Sequence, residues 1–408
     1  MKIAIINQPL ANRGDEAAHK AFVRALSKQF LNYNIHIIFI NSEDKLIEQF
    51  NVNKDNVKYF NLRGLKGISR FEKLSFYINL PKIALLNPVL YNYYKLIKEY
   101  DYVICAPGGI CMGGFMNWDH LWQLYIAKIL RKTIIYWGRS IGPFDNTSFK
   151  SRVFKRYSLE LLQYFSFLSL RDSISFKLAR KYSVNCVKMV DSAFLEVPKI
   201  NINAQIINSL KTKKYIVFVP NELTWHYKYK NCNKEKIDNF YINIINMITE
   251  FYRNYEIVML PQTFMSKIND HDYFNHLKNL SKNGEKIIVI NENVNSDMQQ
   301  YIIANSDLVI GARYHTIVFA INNKKSFISL SYEHKMLGLL EELNLLKYSI
   351  DIQGIFNDEK IIDKTLFKIN NLLKNLQFEK ENPQFENKYK LANKMVLSAF
   401  NDLCKLIT

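Results

Sequence analysis

The sequence predicts an α/β protein with two Rossmann-like parallel-sheet domains that face a cleft. Along most of the 408 residues, short apolar runs alternate with longer segments of helical spacing. This is the pattern of a parallel sheet covered by helices on both faces. The alternation stops at residues 195–214, a stretch with Pro, Asn and Lys, and then begins again. We therefore place a first domain at 1–200, a second at 213–358, and at 359–408 a helical tail that packs across both domains.

The elements of the first domain follow from periodicity. Buried strands appear as short apolar runs, and helices as apolar residues spaced three or four apart, such as Ala18, Phe22 and Leu26. The predicted strands are Lys2–Asn7, Ile35–Asn41, Tyr102–Ala106, Thr133–Trp137, Phe165–Leu170 and Cys186–Val190. The predicted helices are Ala17–Phe30, Asn117–Leu130 and Ser173–Tyr182.

The second domain repeats the pattern. Its predicted strands are Tyr215–Pro220, Glu256–Leu260, Lys286–Ile290, Leu308–Gly311 and Phe327–Leu330. The helices between and after them are Lys236–Arg253, Asp270–Ser281, Ser296–Asn305 and Tyr314–Asn322.

Residues 68–98 interrupt the order of the first domain. The segment is aromatic, apolar and basic, and Pro81 and Pro88 divide it into short helices. We expect a helical insertion that packs on its own domain. The alternative is a membrane-interfacial patch, because Tyr, Phe and Lys together suit the boundary of lipid headgroups.

Composition narrows the class of protein. With 55 Lys and Arg against 37 Asp and Glu, the formal net charge is +18. This charge favours anionic ligands or an acidic membrane surface. The alternative explanation is that the excess of basic residues belongs to the surface composition and has no function. No helix-turn-helix, finger or RNP-like pattern supports nucleic-acid binding.

The five cysteines form no CxxC pair, so neither a metal site nor a disulfide framework is predicted. Without a signal peptide or a membrane-spanning apolar run, we expect a cytoplasmic protein.

Ligands of such sheets bind beyond the carboxyl ends of the strands, so the loops there are the candidate sites. The first is Asn12-Arg13-Gly14-Asp15-Glu16, where the start of a helix favours an anion; its acidic residues could equally hold sugar hydroxyls or simply cap the helix. The second is Pro107-Gly108-Gly109 with Gly113-Gly114, which allows close approach to the backbone or forms a pair of turns.

The third loop is Gly311-Ala312-Arg313-Tyr314-His315. A guanidinium, an imidazole and unpaired helix N–H groups together form an anion site, and the imidazole can also pass a proton. Weaker signals follow other strands. These are Arg139 near Ser140-Ile141-Gly142-Pro143, Arg171 and Asp172 in Leu170-Arg171-Asp172-Ser173, Gln262 after Pro261, and Trp225, whose ring could stack on a sugar. Arg171 is either a cation of the cleft or half of an ion pair at the start of a helix.

In this order the motifs resemble the polysaccharide pyruvyl transferases, which place a ketal-linked pyruvate on a sugar. The resemblance spans roughly residues 3–340 and rests on the motifs above together with Asp191-Ser192-Ala193, Ser306-Asp307 and Ser331-Tyr332-Glu333-His334-Lys335. Residues 71–97 carry no motif of the family.

The resemblance implies a fold like the GT-B glycosyltransferases, phosphoenolpyruvate as donor, and a sugar acceptor, often galactose in a lipid-linked oligosaccharide. A donor with a phosphate and a carboxylate needs several cations. The expected donor-binding residues are Arg313, His315, Lys335, Arg171, Arg139 and Gln262, and the expected acceptor-binding residues are Asn12, Asp15, Glu16, Gly108, Gly109 and Trp225.

For catalysis we expect His315, as proton donor or as phosphate ligand, Arg313, and Asp15 or Asp172 to orient or deprotonate the acceptor. The scheme requires no metal or resident cofactor. If the acceptor is lipid-linked, we expect the reaction to take place at the inner surface of the membrane. The alternative is a GT-B glycosyltransferase that uses a nucleotide-sugar, with Glu333 as the acidic residue that grips the ribose.

Overall fold

Two parallel sheets organise the chain in a computed structural model, which describes residues 1–8, 12–63, 70–198, 205–226, 228–265, 268–291, 294–376 and 383–408. One unit contains residues 1–8, most of 18–195 and residues 394–408. The other contains residues 12–17 and the described residues between Glu196 and Asn393. The first unit thus excludes a short piece of the predicted first domain and includes the end of the chain.

The first unit holds a seven-stranded parallel sheet in the order β3-β2-β1-β4-β7-β8-β9, and a small antiparallel hairpin of β5 and β6. Its strands are β1 (Lys2–Ile6), β2 (Asn34–Ile40), β3 (Val57–Leu62), β4 (Tyr102–Cys105), β5 (Met112–Gly113), β6 (Phe115–Met116), β7 (Thr133–Arg139), β8 (Phe167–Leu170) and β9 (Val187–Lys188). The helices that begin before residue 195 are α1 (Arg13–Gln29), α2 (Asp44–Phe50), α3 (Arg70–Tyr77), α4 (Pro88–Lys98), α5 (Trp118–Ile129), α6 (Phe149–Tyr164) and α7 (Ser173–Lys181), with 3-10 helices at Pro81–Leu86 and Ser192–Leu195.

The second unit holds a six-stranded parallel sheet in the order β14-β11-β10-β15-β16-β17. Its strands, including a hairpin of β12 and β13, are β10 (Tyr215–Val219), β11 (Glu256–Met259), β12 (Phe264–Met265), β13 (Ile268–Asn269), β14 (Ile287–Val289), β15 (Leu308–Gly311), β16 (Phe327–Ser331) and β17 (Ser349–Asp351). Its helices are α8 (Gln205–Leu210), α9 (Lys234–Phe251), α10 (Asp270–Leu280), α11 (Ser296–Ala304), α12 (Tyr314–Asn322), α13 (His334–Glu342) and α14 (Glu359–Leu376), with 3-10 helices at Gly284–Lys286, Leu346–Tyr348 and Ile355–Asn357. The last helix, α15 (Pro383–Ile407), begins in the second unit and ends in the first.

The central strands are the continuous apolar runs of the sequence. All five residues of β10 are buried, as are four of five in β1, because helices cover both faces of a parallel sheet. The edge strands β3 and β17 were not predicted. Both mix polar and apolar residues and are half exposed, so they lack the signal of a buried strand.

The insertion between β3 and β4 forms α3, the 3-10 helix Pro81–Leu86 and α4. Phe76 of α3 is buried against the rings of Trp118, Trp122 and Tyr157, the last with ring centroids 4.6 Å apart. Ala84 and Tyr93 join the same apolar core. The insertion therefore packs on its own unit, as we expected from the sequence.

No helix among the described residues is long and apolar enough to cross a membrane.

Candidate functional site

The loops beyond the carboxyl ends of the second sheet carry most of the predicted donor-binding residues. Strands β10 and β15 are neighbours in register, with Val219 opposite Gly311. The backbone N–H of Ala312 donates to the carbonyl of Val219 at 2.8 Å. The loop after β15, which contains Arg313, therefore leaves the sheet beside the loop after β10, which contains Trp225.

Arg313 is a buried cation with a dedicated counter-charge. It is the N-cap residue of α12, and its guanidinium forms an ion pair with Asp270, the first residue of α10. It also lies over the ring of Trp225, 5.7 Å from the centroid. Burial opposes the charged form, but the neighbouring Asp270 carboxylate outweighs it and raises the pKa of Arg313. Arg313 therefore stays charged.

Asp270 is a residue of the site that sequence reasoning missed. One carboxylate oxygen pairs with Arg313, and the other accepts hydrogen bonds from the backbone N–H groups of Gln262 and Thr263, both at 3.0 Å. The sequence shows only an Asp at the start of a helix, where capping is its usual role. The structure shows that this carboxylate joins the loop after β11 to the loop after β15.

The buried donors in these loops that have no acceptor among the described residues include Nε of Arg313 and Nε2 of Gln262. Arg313 is 7% exposed and Gln262 2%. Buried donors in native proteins are nearly always paired, so such a group indicates a missing ligand or water. Asp270 positions both residues, because it pairs with the side chain of Arg313 and accepts a hydrogen bond from the backbone N–H of Gln262.

His315 lies in the first turn of α12, buried beside Tyr314 with the two rings edge to face at 5.0 Å. It packs directly on Gly14. A Cβ atom at Gly14 would overlap both the imidazole and the Cβ of His315. The first and third motifs of the sequence thus meet in the second unit.

The rest of the first motif is tied to the same unit. Asn12 pairs with Thr263 in a β-bridge, and its side chain accepts from the N–H groups of Gly14 and Asp15 at 2.8 and 3.2 Å. Asn12 therefore caps α1. Asp15 remains partly exposed in the first turn.

Glu16 is fully buried and both of its oxygens have protein partners. One pairs with Arg13 at 2.8 Å, and the other accepts from the N–H and hydroxyl of Ser296 at 3.0 and 2.8 Å, at the start of α11. Arg13 also lies 4.6 Å over the ring of Phe264. Arg13 was part of the motif but was not singled out as a site residue; an arginine before a Gly-containing helix start is the signal that could have indicated it.

Lys335 supplies a further cation in the first turn of α13, the helix that follows β16. It pairs with Glu333 at 2.8 Å, and His226 lies 3.9 Å from the same carboxyl group. Burial opposes the charge of Glu333, but the neighbouring Lys335, with a smaller effect of His226, outweighs it, so the pKa of Glu333 lies far below the usual range. Glu333 is therefore a carboxylate at neutral pH.

In the first unit, Arg139 at the end of β7 organises the glycine-rich loop. Its guanidinium donates to the carbonyls of Ala106, Asn7 and Gly109 at 2.8, 3.2 and 3.4 Å. A Cβ at Gly108 would come within 3.0 Å of this guanidinium, whereas one at Gly109 would meet nothing within 4 Å. Gly108 thus makes room for Arg139, and Gly109 lines open space.

Arg171 and Asp172 are both 2% exposed and bonded within the first unit. Arg171 pairs with Asp191 at 2.6 Å. Asp172 caps α7, accepting from the N–H and hydroxyl of Ser175 at 2.8 and 2.7 Å. Of the two interpretations of Arg171, the structure favours the ion pair, although its partner follows β9 and is not at the start of the same helix.

The predicted site residues therefore form two groups, one in each unit. The group of the second unit contains Asn12, Asp15, Glu16, Trp225, Gln262, Arg313, His315 and Lys335, and that of the first contains Gly108, Gly109, Arg139, Arg171 and Asp172. Among the residues that the structure describes, no group of three or more His, Cys, Asp or Glu side chains could hold a metal ion.

A family model, polysaccharide pyruvyl transferase, matches residues 12–334, from the first motif to the end of β16 and its loop. This chain belongs to the polysaccharide pyruvyl transferase family. The amylovoran biosynthesis protein AmsJ of Erwinia amylovora is 25% identical over 410 aligned residues, which cover 92% of this chain and 93% of AmsJ.

Solved structures resemble this pyruvyl transferase family member in fold. HepE from Anabaena, in complex with UDP and glucose, has a TM-score of 0.59 at 12% identity and covers 100% of this chain and 99% of its own. A putative UDP-N-acetylglucosamine 2-epimerase from Listeria monocytogenes has a TM-score of 0.58 at 12% identity, with 99% and 96% covered. At these identities the likeness shows the fold alone, which is α/β and GT-B-like.

Proposed function

We propose that this protein transfers the enolpyruvyl group of phosphoenolpyruvate to a sugar and forms a cyclic pyruvate ketal in polysaccharide biosynthesis. Family membership supports pyruvyl transfer. Likeness to AmsJ, whose name links it to amylovoran biosynthesis, supports a polysaccharide product. The choice of donor is supported by two buried donors that have no acceptor in the part of the chain that the structure describes, Nε of Arg313 and Nε2 of Gln262.

An anionic donor suits these groups. Phosphoenolpyruvate carries a phosphate and a carboxylate, and both accept several hydrogen bonds. A guanidinium has five N–H donors, and Asp270 engages only one nitrogen of Arg313, so the same side chain can hold Asp270 and a ligand. The N-terminus of α12 adds N–H groups and a partial positive charge next to Arg313. Lys335, in the first turn of α13, supplies a further cation for the donor.

The proposed reaction begins with protonation of the methylene carbon of phosphoenolpyruvate, which creates an oxocarbenium-like centre at C2. One sugar hydroxyl adds to C2 and loses its proton. The C2–O bond to phosphate then breaks, and phosphate leaves with the bonding electrons. The second hydroxyl adds to C2 and loses its proton, which closes the ketal. One inorganic phosphate is released for each ketal formed.

The residues have roles that follow from their chemistry. His315 either protonates the methylene carbon or binds the phosphate, since a buried imidazole can do both. Arg313 and Lys335 stabilise charge on the departing phosphate. Asp15, the partly exposed acid of the first motif, orients or deprotonates the acceptor. Glu16 and Asp172, both with protein partners, hold the loops that carry the reacting groups.

We assign the acceptor to a sugar, for which galactose in a lipid-linked oligosaccharide is the first candidate. Trp225 offers an aromatic face for a sugar ring. Asn12, Gly108 and Gly109 are the further proposed acceptor contacts. Arg139, which we expected to bind the donor, shapes the glycine-rich loop through its hydrogen bonds to backbone carbonyls. No step of the scheme calls for a metal or resident cofactor. We also propose that the transfer takes place at the inner face of the membrane.

The direct test incubates the protein with phosphoenolpyruvate and candidate lipid-linked galactosides. Phosphate release that depends on the acceptor is expected, together with a product whose mass has increased by one pyruvate less one water. Release of a nucleoside diphosphate from a nucleotide-sugar, with no reaction of phosphoenolpyruvate, would instead assign the protein to the glycosyltransferases. That second candidate is supported by Glu333, which remains ionised and could bind a ribose, and by a fold like that of a protein crystallised with UDP.

Gln262→Met tests the donor contacts, because it removes two N–H donors while keeping the length of the side chain. Loss of a hydrogen bond to a charged ligand should raise the KM for phosphoenolpyruvate about tenfold to hundredfold and leave the acceptor KM unchanged. Gln163→Met, at an exposed position of α6, is the matched control and should behave like the wild type. Equal KM values for both variants would exclude Gln262 from the donor site.

A further inference from the structure

The insertion presents an unusual outer surface. Leu74, Ile78, Leu80 and Leu86 are 49%, 50%, 54% and 76% exposed. With Tyr91 they place five of the twenty large exposed hydrophobic residues of the described chain within residues 74–91. Single exposed apolar residues are normal on protein surfaces, but a cluster marks a site of interaction.

Phe149, the first residue of α6, extends this cluster. It is 56% exposed, and its ring lies 5.7 Å from that of Tyr77 at the end of α3. The two helices are fixed to each other, because the hydroxyl of Tyr157 in α6 donates to the side chain of Asn79 at 2.8 Å. The exposed apolar residues at the end of α3 therefore lie beside Phe149 at the start of α6.

The exposed charges around the cluster are mostly basic, with Glu99 after α4 and Asp145 before α6 as exposed acidic neighbours. Arg70, Lys82, Lys95 and Lys98 are exposed in this segment. Its one acidic residue, Glu72, is buried and accepts from the side chain of Asn87 at 2.7 Å. Next to Phe149 lie the exposed Lys150 and Arg152. We call the apolar cluster and these cations the basic apolar surface.

The exposed residues lie in or between helices whose other side is already packed, so they cannot turn inward. Phe76, Ala84, Leu90, Tyr93 and Ile97 are buried in the core of the first unit. The apolar side chains of the basic apolar surface are thus held in water by a folded scaffold. Their exposure is a property of the fold and not of a loose segment.

We propose that the basic apolar surface docks on an anionic membrane, with the apolar side chains at the headgroup boundary and the cations against lipid phosphates. Apolar residues among Lys and Arg are what interfacial binding to anionic lipid requires. A second copy of this chain would bring the same cations face to face, which opposes self-association at this surface. This docking deepens the proposed function, in which the acceptor is lipid-linked, but membrane binding can be measured without the reaction.

The test measures binding of the full chain to vesicles of phosphatidylcholine alone and of phosphatidylcholine with about one third phosphatidylglycerol. Binding is expected only to the anionic vesicles and should weaken with added salt. Ile78→Ser/Leu80→Ser should lower the partition coefficient at least about tenfold, since two apolar side chains no longer enter the interface. Lys82→Ser/Lys150→Ser should lower it about thirtyfold, from the attraction per cation near an anionic surface.

Helix α14 supplies matched controls, because it also carries exposed apolar and basic residues. Ile361→Ser/Phe367→Ser and Lys360→Ser/Lys364→Ser change the same types of side chain on another exposed helix face and should bind like the wild type. Equal losses for both sets would show that binding is spread over a basic chain and would overturn the proposal. So would equal binding to both kinds of vesicle, or a dimer in light scattering that Ile78→Ser/Leu80→Ser dissociates.

Discussion

At the scale of single residues, the site is defined by close approach and by paired charge. Gly14 carries no side chain because His315 fills the space where a Cβ would be. Arg313 keeps its charge in a buried position because Asp270 lies against it. Each residue is thus explained by a partner that is distant in the sequence, 43 positions away in the case of Arg313 and Asp270. Each pair can be tested by one substitution.

Gly14→Ala should disrupt the site through a steric effect. Overpacking of this kind costs about 1–3 kcal/mol, and displacement of His315 should abolish most phosphate release. Urea unfolding and the release assay measure the two effects. Gly109→Ala is the control for stability, since its Cβ would meet nothing within 4 Å; its free energy of unfolding should equal that of the wild type. A stable and fully active Gly14→Ala protein would contradict the contact with His315.

Asp270→Asn should leave Arg313 buried without its counter-charge. Breaking one partner of a buried ion pair costs about 3–5 kcal/mol of unfolding free energy. Because Asp270 also holds the loop of Gln262, the KM for phosphoenolpyruvate should rise more than kcat falls.

The matched control for that substitution is Asp272→Asn on the same helix, whose side chain is 77% exposed. It should change neither stability nor KM. If Asp270→Asn had a normal stability and an unchanged KM for phosphoenolpyruvate, the role of Asp270 in positioning Arg313 would be excluded.

At the scale of elements, helix α1 serves both units. Its first turn, with Glu16 bonded to Ser296, belongs to the second unit, and its later residues pack in the first. His19, in those later residues, is fully buried beside Phe50, and neither ring nitrogen has a hydrogen-bond partner among the described residues. Burial, with a smaller effect of Lys20, lowers the pKa of His19 to about 3.

This buried imidazole predicts a loss of stability in acid. Below pH 6.5 the unfolded chain binds a proton at His19, and the folded chain does not until about pH 3. The free energy of unfolding should therefore fall by up to about 1.4 kcal/mol per pH unit as the pH decreases from 6.5 towards 3. His19→Leu removes this contribution, so its unfolding free energy should fall less steeply between pH 6.5 and pH 5. Parallel pH profiles for the two proteins would disprove the assignment.

At the scale of the whole molecule, the end of the chain completes the first unit. Residues 394–408 belong to that unit, and Phe400 of α15 lies 6.1 Å from the ring of Trp137 and 6.3 Å from that of Phe22. The hydroxyl of Tyr102 in β4 donates to the carbonyl of Ile407 at 3.1 Å. The first sheet thus depends on residues that follow the second in sequence.

Phe400→Ala should destabilise the first unit. Truncating a buried Phe costs about 3–5 kcal/mol, and unfolding can be followed by tryptophan fluorescence because Trp137 contacts this ring. Phe367→Ala, at a position 64% exposed, is the control and should change stability by less than about 0.5 kcal/mol. Equal midpoints for the two variants would show that α15 is not part of the core of the first unit.

The sequence by itself predicted the alternation of strands and helices, and the bounds of β15 and α12 agree with the structure. It predicted these elements because buried parallel strands are continuous apolar runs and because helices have a regular spacing. It missed β3 and β17, whose residues are half exposed and of mixed polarity. The motifs at strand ends also identified the family, since their order along the chain is itself a property of the sequence.

Only the tertiary structure decided which acid neutralises which cation. Asp270 pairs with Arg313, Asp191 with Arg171 and Glu333 with Lys335, and nothing in the spacing of the first pair indicates it. The structure likewise placed residues 12–17 in the second unit, against His315. Periodicity reports which face of an element is buried, whereas an ion pair or a steric contact depends on neighbours that distant parts of the chain supply.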